Sequence, residues 1–399
     1  MVNGHGAAET TGTSRTVRGG RPLIDRLLTV RRMLTGAAAE AVPERLVDGL
    51  TQEYGLRDVE VYLVDYRLAA LLPLIGDDAR TFPGDAAWRS FDHQTEVVED
   101  TDLYLPVTAR GERMGVLRCA PVPDDPDVRG ELAEIATLTG HELQSAAAGT
   151  DRYRMTIRTR RLTLAAEMQW ELLPGRSRIR PSFSLAGQLE PSYAVNGDSF
   201  DWAEHDGRLY VSVLNGMGEG VESSMLTALA TYALRNARRA GLSLADQAVL
   251  ADQAVFAAYR GALHVSVLLL ELDLATGQLQ AIDAGSPRTL LMRDGTIHAV
   301  RLEPQFPLGM FEDSEYAPES LALRTADRLV FVSDGVFAAA GATGRYGDTA
   351  LERFIRATGS MAPLQVVRSL LGNLRTYLGD TDLDDDAVAV CLDWTGVPH

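Results

Sequence analysis

Aspartates at the ends of strand-like runs are the residues whose type and spacing best suit chemistry. Asp198 stands in Asn-Gly-Asp-Ser-Phe-Asp, Asp334 in Val-Ser-Asp-Gly, and Asp385 and Asp386 in Leu-Asp-Asp-Asp-Ala-Val. Strand ends can direct several carboxylates at one point, and hard divalent cations bind oxygen ligands. Taken singly, each aspartate is also an ordinary turn residue. Their joint order in the second half of the chain favours a cation site over four unrelated turns.

The cation that suits such ligands is Mg²⁺ or Mn²⁺ rather than Zn²⁺. The seven histidines are scattered, none lies inside these motifs, and the two cysteines, Cys119 and Cys391, are far apart. Zinc sites need clusters of these residue types, whereas carboxylate oxygens suit Mg²⁺ and Mn²⁺. Two separated cysteines also exclude a disulfide framework and indicate a reducing cytoplasm. We interpret both as small buried hydrophobic residues.

The elements that would position these aspartates are many strands and a few grouped helices. Beyond Pro181 the sequence has β-rich runs separated by turn signals. Two helical blocks interrupt them, from Val221 to about Tyr259 and from Asp348 to Leu378. Strands in succession with helices in groups favour an antiparallel sandwich over alternating βαβ units. We therefore predict an α+β protein whose residues 180–396 form a β-sandwich flanked by helices.

A smaller α+β unit is predicted ahead of this sandwich. Residues 1–21 carry Gly, Thr, Ser and Arg without an apolar core, which is typical of a disordered tail rather than a secretory signal. Residues 22–128 begin with two helical segments, the second ending at Gly55, a common helix stop. Strand-like runs follow, and residues 103–120 have the pattern of a hairpin. The sequence of this unit contains no set of residues typical of a catalytic site.

A linker helix is predicted between the two domains. Residues 129–173 contain no proline, and apolar residues recur at roughly helical spacing, either as one long helix or as two in tandem. An amphipathic helix between two domains cannot bury its apolar stripe alone. We expect it to pair with a second copy, giving a homodimer, or to pack on the domains that it connects. A plain linker helix is the alternative.

Composition excludes several classes of protein. Of the 399 residues, 46% are hydrophobic, which suffices for more than one core. Lys and Arg number 38 against 55 Asp and Glu, so the net charge is −17, which opposes binding to nucleic acid or an anionic lipid surface. No apolar run reaches the length that a membrane span requires. We therefore expect a cytoplasmic protein without nucleic-acid or membrane partners.

The order of the motifs resembles the bacterial metal-dependent phosphatases of the stage II sporulation protein E type, in the protein phosphatase 2C superfamily. The resemblance covers about residues 180–395. The family's motifs Gly-Gly-Asp-Phe-Tyr-Asp, Asp-x-x-Gly-x-Gly, Thr-Asp-Gly and a late aspartate pair are matched by Val195–Asp201, Asn215–Gly220, Val332–Gly335 and Asp385–Asp386. On pattern alone, residues 22–128 are similar to a GAF sensor module.

This resemblance implies a fold, a cofactor and a substrate. The fold would be an αββα sandwich holding two Mn²⁺ or Mg²⁺ ions, whose activated water hydrolyses phosphoserine or phosphothreonine. The protein substrate would be a phosphorylated regulator such as an anti-anti-sigma factor, with the sensor gating the reaction. The residues implied as catalytic are Asp198 on the first metal and Asp334 and Asp385 on the second. The Gly216 carbonyl would be a further ligand, and Asp386 would support the ligands from behind.

The sequence departs from the family at the cofactor site. Asn215 stands where the family has an aspartate that bridges both metals, and an amide offers one neutral oxygen in place of two anionic ones. Glu219 replaces a basic or His residue, Ser223 and Ser224 replace alanines, and Ser286 replaces a common His. One hypothesis is a phosphatase weakened at one metal, so that a single ion binds. The alternative is a degenerate pseudophosphatase that acts as a phosphoprotein-binding scaffold.

Overall fold

Two units divide the chain. The computed structural model describes residues 23–81, 84–159, 161–192, 195–285, 287–342, 344–379, 381 and 383–396. One unit comprises Met1–Leu63, Leu71–Ala109 and Met114–Ile157, and the other comprises Val64–Ala70, Arg110–Arg113 and Arg158–His399. Both contain helices and strands, which confirms the α+β class. The tail predicted over residues 1–21 lies outside the described residues.

A five-stranded sheet with helices packed on it forms the first unit. The strands are β1 (Asp58–Val64), β2 (Leu71–Pro73), β3 (Val97–Glu99), β4 (Asp102–Ala109) and β5 (Glu112–Ala120), in the order β2-β1-β5-β4-β3. The helices are α1 (Leu23–Thr35), α2 (Val42–Tyr54), α3 (Ala86–His93), α4 (Pro126–Ala146) and α5 (Arg152–Thr156). Gly55 ends α2 in the left-handed region, at a φ of 69°, and the neighbouring strands β4 and β5 lie where the hairpin was expected.

The linker helix predicted over residues 129–173 is not continuous, so the prediction of one helix or two in tandem is wrong. After α4 and the short α5, a third helix, α6 (Leu164–Leu172), begins at a new cap. The hydroxyl oxygen of Thr163 accepts a hydrogen bond from the backbone nitrogen of Ala166 at 3.2 Å. Such a cap starts a fresh helix because it satisfies a backbone donor that has no partner within the helix.

The apolar stripe of the predicted linker lies in the core of the first unit. Leu132, Ile135 and Leu143 of α4 are at most 1% exposed and share a core cluster with Leu105 and Val107 of β4. The helix therefore packs on the sheet of its own chain. Because the unburied stripe was the reason to expect pairing between copies, the homodimer stays a prediction without support from α4.

Two antiparallel sheets form most of the second unit. One has the order β14-β11-β10-β9-β8 and the other β13-β12-β15-β18-β7-β6. The strands are β6 (Ser177–Ile179), β7 (Phe183–Glu190), β8 (Asp198–His205), β9 (Arg208–Gly216), β10 (Val265–Asp273), β11 (Gln278–Ala284), β12 (Arg288–Arg293), β13 (Thr296–Val300), β14 (Glu319–Ala322), β15 (Asp327–Val332), β16 (Ala340–Gly341), β17 (Gly344–Arg345) and β18 (Ala387–Trp394).

Helices cover the outer faces of both sheets. The helices are α7 (Gly220–Arg239), α8 (Leu244–Tyr259), α9 (Asp334–Phe337), α10 (Tyr346–Thr349), α11 (Leu351–Ala357) and α12 (Pro363–Leu378). Apolar residues of α7 and α8 share a core cluster with Val267 of β10, and α12 packs on β7 and β18. Among the described residues, no helix combines the length and apolar character that crossing a bilayer requires.

Alternating side chains fill the space between the two sheets. Leu185 of β7 and Val390 of β18 face Phe200 of β8 in one buried cluster, as the period of two along a strand requires. The neighbours of Val390 along β18 point to the opposite face, where α12 covers them, and Cys391 is one of these. The layers are therefore helix, sheet, sheet and helix.

The two cysteines are buried free thiols. Burial raises the pKa of the Cys119 thiol to about 12, and it raises that of Cys391 as well. Thiols protonated at neutral pH are poor nucleophiles. Both residues therefore act as small apolar residues of the core.

We expect Gly187→Ala to destabilise the sandwich, because a Cβ on β7 would lie 2.7 Å from ring carbons of the fully buried Phe200. Overpacking of this kind lowers the free energy of unfolding by about 1–3 kcal/mol. Gly372 of α12 is the matched control, since a Cβ there meets nothing within 4 Å. Gly372→Ala should raise stability by up to about 1 kcal/mol through helix propensity. Urea denaturation measures both, and an unchanged Gly187→Ala variant would contradict this packing.

Candidate metal centre

Asp198 and Asn215 lie opposite each other on neighbouring strands. Asp198 begins β8, and its partner in the antiparallel register is Asn215 near the end of β9. Gly216 follows, and a Cβ there would lie 2.2 Å from the hydroxyl oxygen of Thr227 on α7. Only glycine therefore lets the backbone of β9 approach α7 this closely. The pairing of β8 with β9 brings three of the residues of the expected site to one end of the sheet.

Asp334 and Asp385 lie at the same end of the second sheet. Asp334 follows β15 and Asp385 precedes β18, and these strands pair Val332 with Ala389. A Cβ at Gly335 would lie 1.9 Å from the carbonyl oxygen of Asp386. This close approach of two backbones places the Ser-Asp-Gly turn directly beside the aspartate pair.

The carboxylate of Asp198 is buried and has no partner. Its exposed fraction is 0%, and neither oxygen has a hydrogen-bond partner in the part of the chain that the structure describes. Burial, and after it the negative charge of Asp386, raise the pKa of Asp198 well above its ordinary value, whereas the nearby hydroxyl of Ser333 opposes this shift. A buried carboxylate without a donor is costly unless a cation compensates its charge. Of all the observations at this site, this one fits a bound cation best.

Asn215 holds the carboxylate of Asp334 through a hydrogen bond. Its side-chain nitrogen donates to Oδ1 of Asp334 at 2.8 Å, and the backbone nitrogen of Gly335 donates to the same oxygen at 3.2 Å. An aspartate at position 215 would offer no such donor and would repel Asp334. The amide therefore stabilises the arrangement of carboxylates in the absence of a cation.

A second amide holds Asp385. The side-chain nitrogen of Asn196 donates to Oδ1 of Asp385 at 2.7 Å, and the backbone nitrogen of Asp386 donates to the same oxygen at 2.8 Å. Burial raises the pKa of Asp385, the hydrogen bond from Asn196 opposes this shift, and the charge of Asp334 adds to it. Two of the three expected catalytic carboxylates, Asp334 and Asp385, thus each accept a hydrogen bond from an asparagine.

Both carboxylate oxygens of Asp386 accept hydrogen bonds from the protein. It is fully buried, and its Oδ1 accepts hydrogen bonds from the backbone nitrogen and the hydroxyl of Ser192 at 2.8 and 3.0 Å. Its Oδ2 accepts from the backbone nitrogens of Asn196, Gly197 and Asp198 at 2.8, 3.1 and 3.4 Å. Asp386 therefore orders the segment that leads into β8, and this leaves it little capacity to bind a metal directly.

Gln169 is a further contributor that the sequence did not reveal. It lies on α6 with 1% of its surface exposed, and its side-chain nitrogen donates to Oδ2 of Asp386 at 2.7 Å and to the carbonyl oxygen of Asp198 at 3.1 Å. A glutamine within an apolar helix was the only available signal. Asn196, by contrast, stood inside a motif that the sequence had singled out, whereas Ser286 lies outside the described residues.

An ion cluster fixes β8 to the helices beside it. Asp201, which is 2% exposed, accepts hydrogen bonds from Arg235 at 2.8 Å and from Arg238 at 3.3 Å, both on α7. Arg235 also donates to the carbonyl oxygen of Leu172 at the end of α6 at 2.7 Å. One carboxylate therefore joins β8, α7 and α6 next to the candidate centre.

The chemistry of the donor set fits a hard divalent cation, but the donors are not yet assembled around one point. Within the described residues, no group of three or more His, Cys, Asp or Glu side chains is arranged to hold a metal ion. Asparagine amides donate to one oxygen of Asp334 and to one oxygen of Asp385. Asp198 has both oxygens free, and carboxylate oxygens suit Mg²⁺ or Mn²⁺. The same amides leave the second oxygen of each carboxylate available to a cation, and carboxylates that bind metals are commonly hydrogen-bonded as well.

We expect Asp198→Asn to stabilise the metal-free protein at neutral pH, because it removes a buried charge that has no partner. A folded-state pKa above the unfolded one means that stability falls as the pH rises from about 3.9 toward the raised value. The variant should lack this part of the pH dependence, and the exposed Asp384→Asn should keep it. Urea denaturation in EDTA across pH measures both effects. Lower stability of Asp198→Asn at neutral pH would contradict an uncompensated charge.

Comparison with known proteins finds a family match in the second half of the chain. Residues 205–395 match the model of the family described as Stage II sporulation protein E (SpoIIE). The matched range contains Asn215, Asp334 and Asp385 and begins after Asp198. The phosphoserine phosphatase RsbP of Bacillus subtilis (strain 168) is 27% identical over 183 residues, which are 44% of this chain and 45% of the relative. The chain thus spans less than half the length of the curated relative that it matches.

Similar solved structures include two that carry phosphatase or regulator domains. The RsbU and RsbW domains of Rv1364c from Mycobacterium tuberculosis are 22% identical, with a TM-score of 0.47, over 57% of this chain and 64% of that one. The phosphatase domain with a regulatory fragment of SpoIIE from Bacillus subtilis is 13% identical, with a TM-score of 0.45, over 94% and 97%. Residues 205–395 of this chain are therefore similar to the stage II sporulation protein E family.

Proposed function

We propose that residues 180–396 form a metal-dependent protein phosphatase that hydrolyses phosphoserine or phosphothreonine on a regulatory protein. The observation that carries this proposal is the buried, unpaired carboxylate of Asp198 beside Asp334 and Asp385. A bound Mn²⁺ or Mg²⁺ would supply an activated water to attack the phosphorus and positive charge to stabilise the phosphoryl oxygens as the serine or threonine oxygen leaves. Asp198, Asp334, Asp385 and the Gly216 carbonyl would hold the cation, with Asp386 keeping the segment before β8 in place.

The substrate that we propose is a phosphorylated anti-anti-sigma factor in the cytoplasm. The name of the Bacillus subtilis relative, a phosphoserine phosphatase, supports phosphoserine as the group attacked. The acidic net charge of −17 disfavours nucleic acid as a partner. We propose further that the first unit is a GAF-like sensor that gates the reaction, with residues 22–128 as its extent.

A pseudophosphatase is the second candidate, and the hydrogen bond from Asn215 to Asp334 favours it. At 2.8 Å the amide nitrogen satisfies an oxygen that would otherwise bind a metal. This hydrogen bond stabilises Asp334 without a cation, which suits a scaffold that binds phosphoproteins. Activity measurements separate the two candidates, because only the enzyme turns over substrate.

We expect Mn²⁺-dependent hydrolysis of p-nitrophenyl phosphate by the full chain, and we expect Asp334→Ala to abolish it. Removal of a ligand should weaken the metal at least as much as the 10- to 100-fold loss, about 1–3 kcal/mol, typical of supporting residues. Asp384→Ala is the matched control, since Asp384 is an exposed neighbour of Asp385, and it should keep the parent rate. A folded parent protein that is inactive in millimolar Mn²⁺ would favour the pseudophosphatase.

We expect Asn215→Asp to tighten Mn²⁺ binding and to raise the rate by about 10- to 100-fold. The new carboxylate adds an anionic oxygen, while repulsion from Asp334 and the lost hydrogen bond offset part of the gain. For the same reason the variant should be less stable than the parent in EDTA and should regain stability with Mn²⁺. Calorimetric titration, denaturation and the rate assay measure these effects. If none of the three changes, Asn215 does not face the cation.

A further inference from the structure

A cavity in the second unit is lined by arginines. It has a volume of about 580 Å³, and four arginines against one glutamate give its lining a formal charge of +3. These five residues, all in the second unit, are Arg67, Arg158, Arg161, Arg375 and Glu190. In a chain whose net charge is −17, such a concentration of positive charge is a distinct feature. Clefts lined by one sign of charge attract ligands of the opposite sign.

Glu190 neutralises one of these charges, and Arg158 pairs with Glu167, which lies outside the lining. The carboxylate of Glu190 pairs with Arg67 through one oxygen and with Arg375 through the other. Only 5% of the Glu190 side chain is exposed, against 36% for Arg375. Two guanidinium groups therefore share one carboxylate inside the cavity. Arg161 adds an exposed positive charge at its edge.

Arg375 has a buried donor without a partner. Its Nε is buried, and it donates to no acceptor within the described part of the chain. Because Nε is buried while 36% of the Arg375 side chain is exposed, a ligand in the cavity would meet the terminal part of the guanidinium group. Guanidinium groups pair with phosphate through two parallel hydrogen bonds.

Apolar and aromatic side chains form much of the remainder of the lining. Leu162 and Leu378 line the cavity together with Trp170, whose ring stacks on that of Tyr66 at a centroid distance of 4.1 Å. Cavities of about 300–1,000 Å³ with apolar walls and a few convergent charged groups are typical of small-molecule sites. The space therefore accommodates an organic body as well as an anionic group.

We propose that this cavity binds a small organic phosphate, with the phosphate on Arg375 and Arg161 and the organic body against Trp170. None of the aspartates of the candidate metal centre lines the cavity, although Ser192, which donates to Asp386, does. An anionic ligand would compete with Glu190 for its two arginines, which sets a moderate rather than a tight affinity.

Calorimetric titration of the full chain with AMP in EDTA tests the site, because EDTA keeps metal binding from contributing heat. We expect AMP to bind with sub-millimolar affinity, adenosine not to bind, and inorganic phosphate to bind at least 10-fold more weakly than AMP. Absence of binding by AMP at millimolar concentration would overturn the proposal. Equal binding of adenosine would overturn the role of the arginines, and equal binding of phosphate would overturn the role of the apolar wall.

Two variants and a control locate the ligand. Arg161→Gln leaves the pairs of Glu190 intact, so it should fold normally and weaken AMP binding at least 10-fold. Arg375→Gln should weaken it more, and its circular dichroism shows whether loss of the pair with Glu190 has disturbed the fold. Arg356→Gln, at an exposed position of α11 outside the cavity, should bind AMP as the parent does. Parent-like affinity of folded Arg161→Gln and Arg375→Gln would place the ligand elsewhere and refute the assignment.

Discussion

The carboxylate of Asp386 is the interaction on which the geometry of the metal centre depends. Its two oxygens collect the side chains of Gln169 and Ser192 and the backbone of the segment that enters β8. These donors come from α6, from the end of β7 and from the neighbouring sheet. A buried carboxylate is tolerated when donors surround it, and here the same donors fix Asp198 relative to Asp385. Without the hydrogen bonds to Asp386, the two sheets would still pack through their common core, but Asp198 would not be held in position relative to Asp385.

The centre balances repulsion between carboxylates against the donors that hold them. Asp198 carries the unrelieved part of that repulsion, because it is buried and has no donor. Asp334 and Asp385 escape it through Asn215 and Asn196. The asparagine at position 215 therefore has two opposing effects: it makes the empty site more stable and a bound cation less stable. Affinity for metal and stability without metal are coupled through this one side chain.

Hydrophobic patterns predicted the sandwich well because strands buried on both faces and helices in blocks leave strong local signals. The prediction of a linker helix over residues 129–173 was wrong because hydrophobic periodicity shows an apolar stripe but does not show which element covers it. Nothing near Leu132 in the sequence says that β4 does so, and the cap at Thr163 is a single residue. For the site, each aspartate taken singly was an ordinary turn residue, and only the order of all four favoured a cation site. Their assembly came from the family resemblance, since the register that sets Asp198 against Asn215 depends on pairing between strands. The contact of Gln169 with Asp386 joins residues 217 positions apart, and no local rule could have predicted it.

Asn215 and Gly216 are adjacent, yet different physical requirements constrain the residue type at the two positions. Asn215 can contribute only through its side chain, so a single nucleotide change is enough to alter its chemistry. Gly216 would contribute a main-chain oxygen, which every amino acid possesses, and its identity is fixed instead by the 2.2 Å that separates a Cβ from Thr227. The lack of room for a Cβ therefore keeps the Gly216 carbonyl oxygen in position, although every residue type would supply such an oxygen. A substitution at Gly216 would therefore disturb the site through the packing of α7, whereas a substitution at Asn215 would act on the chemistry of the site directly.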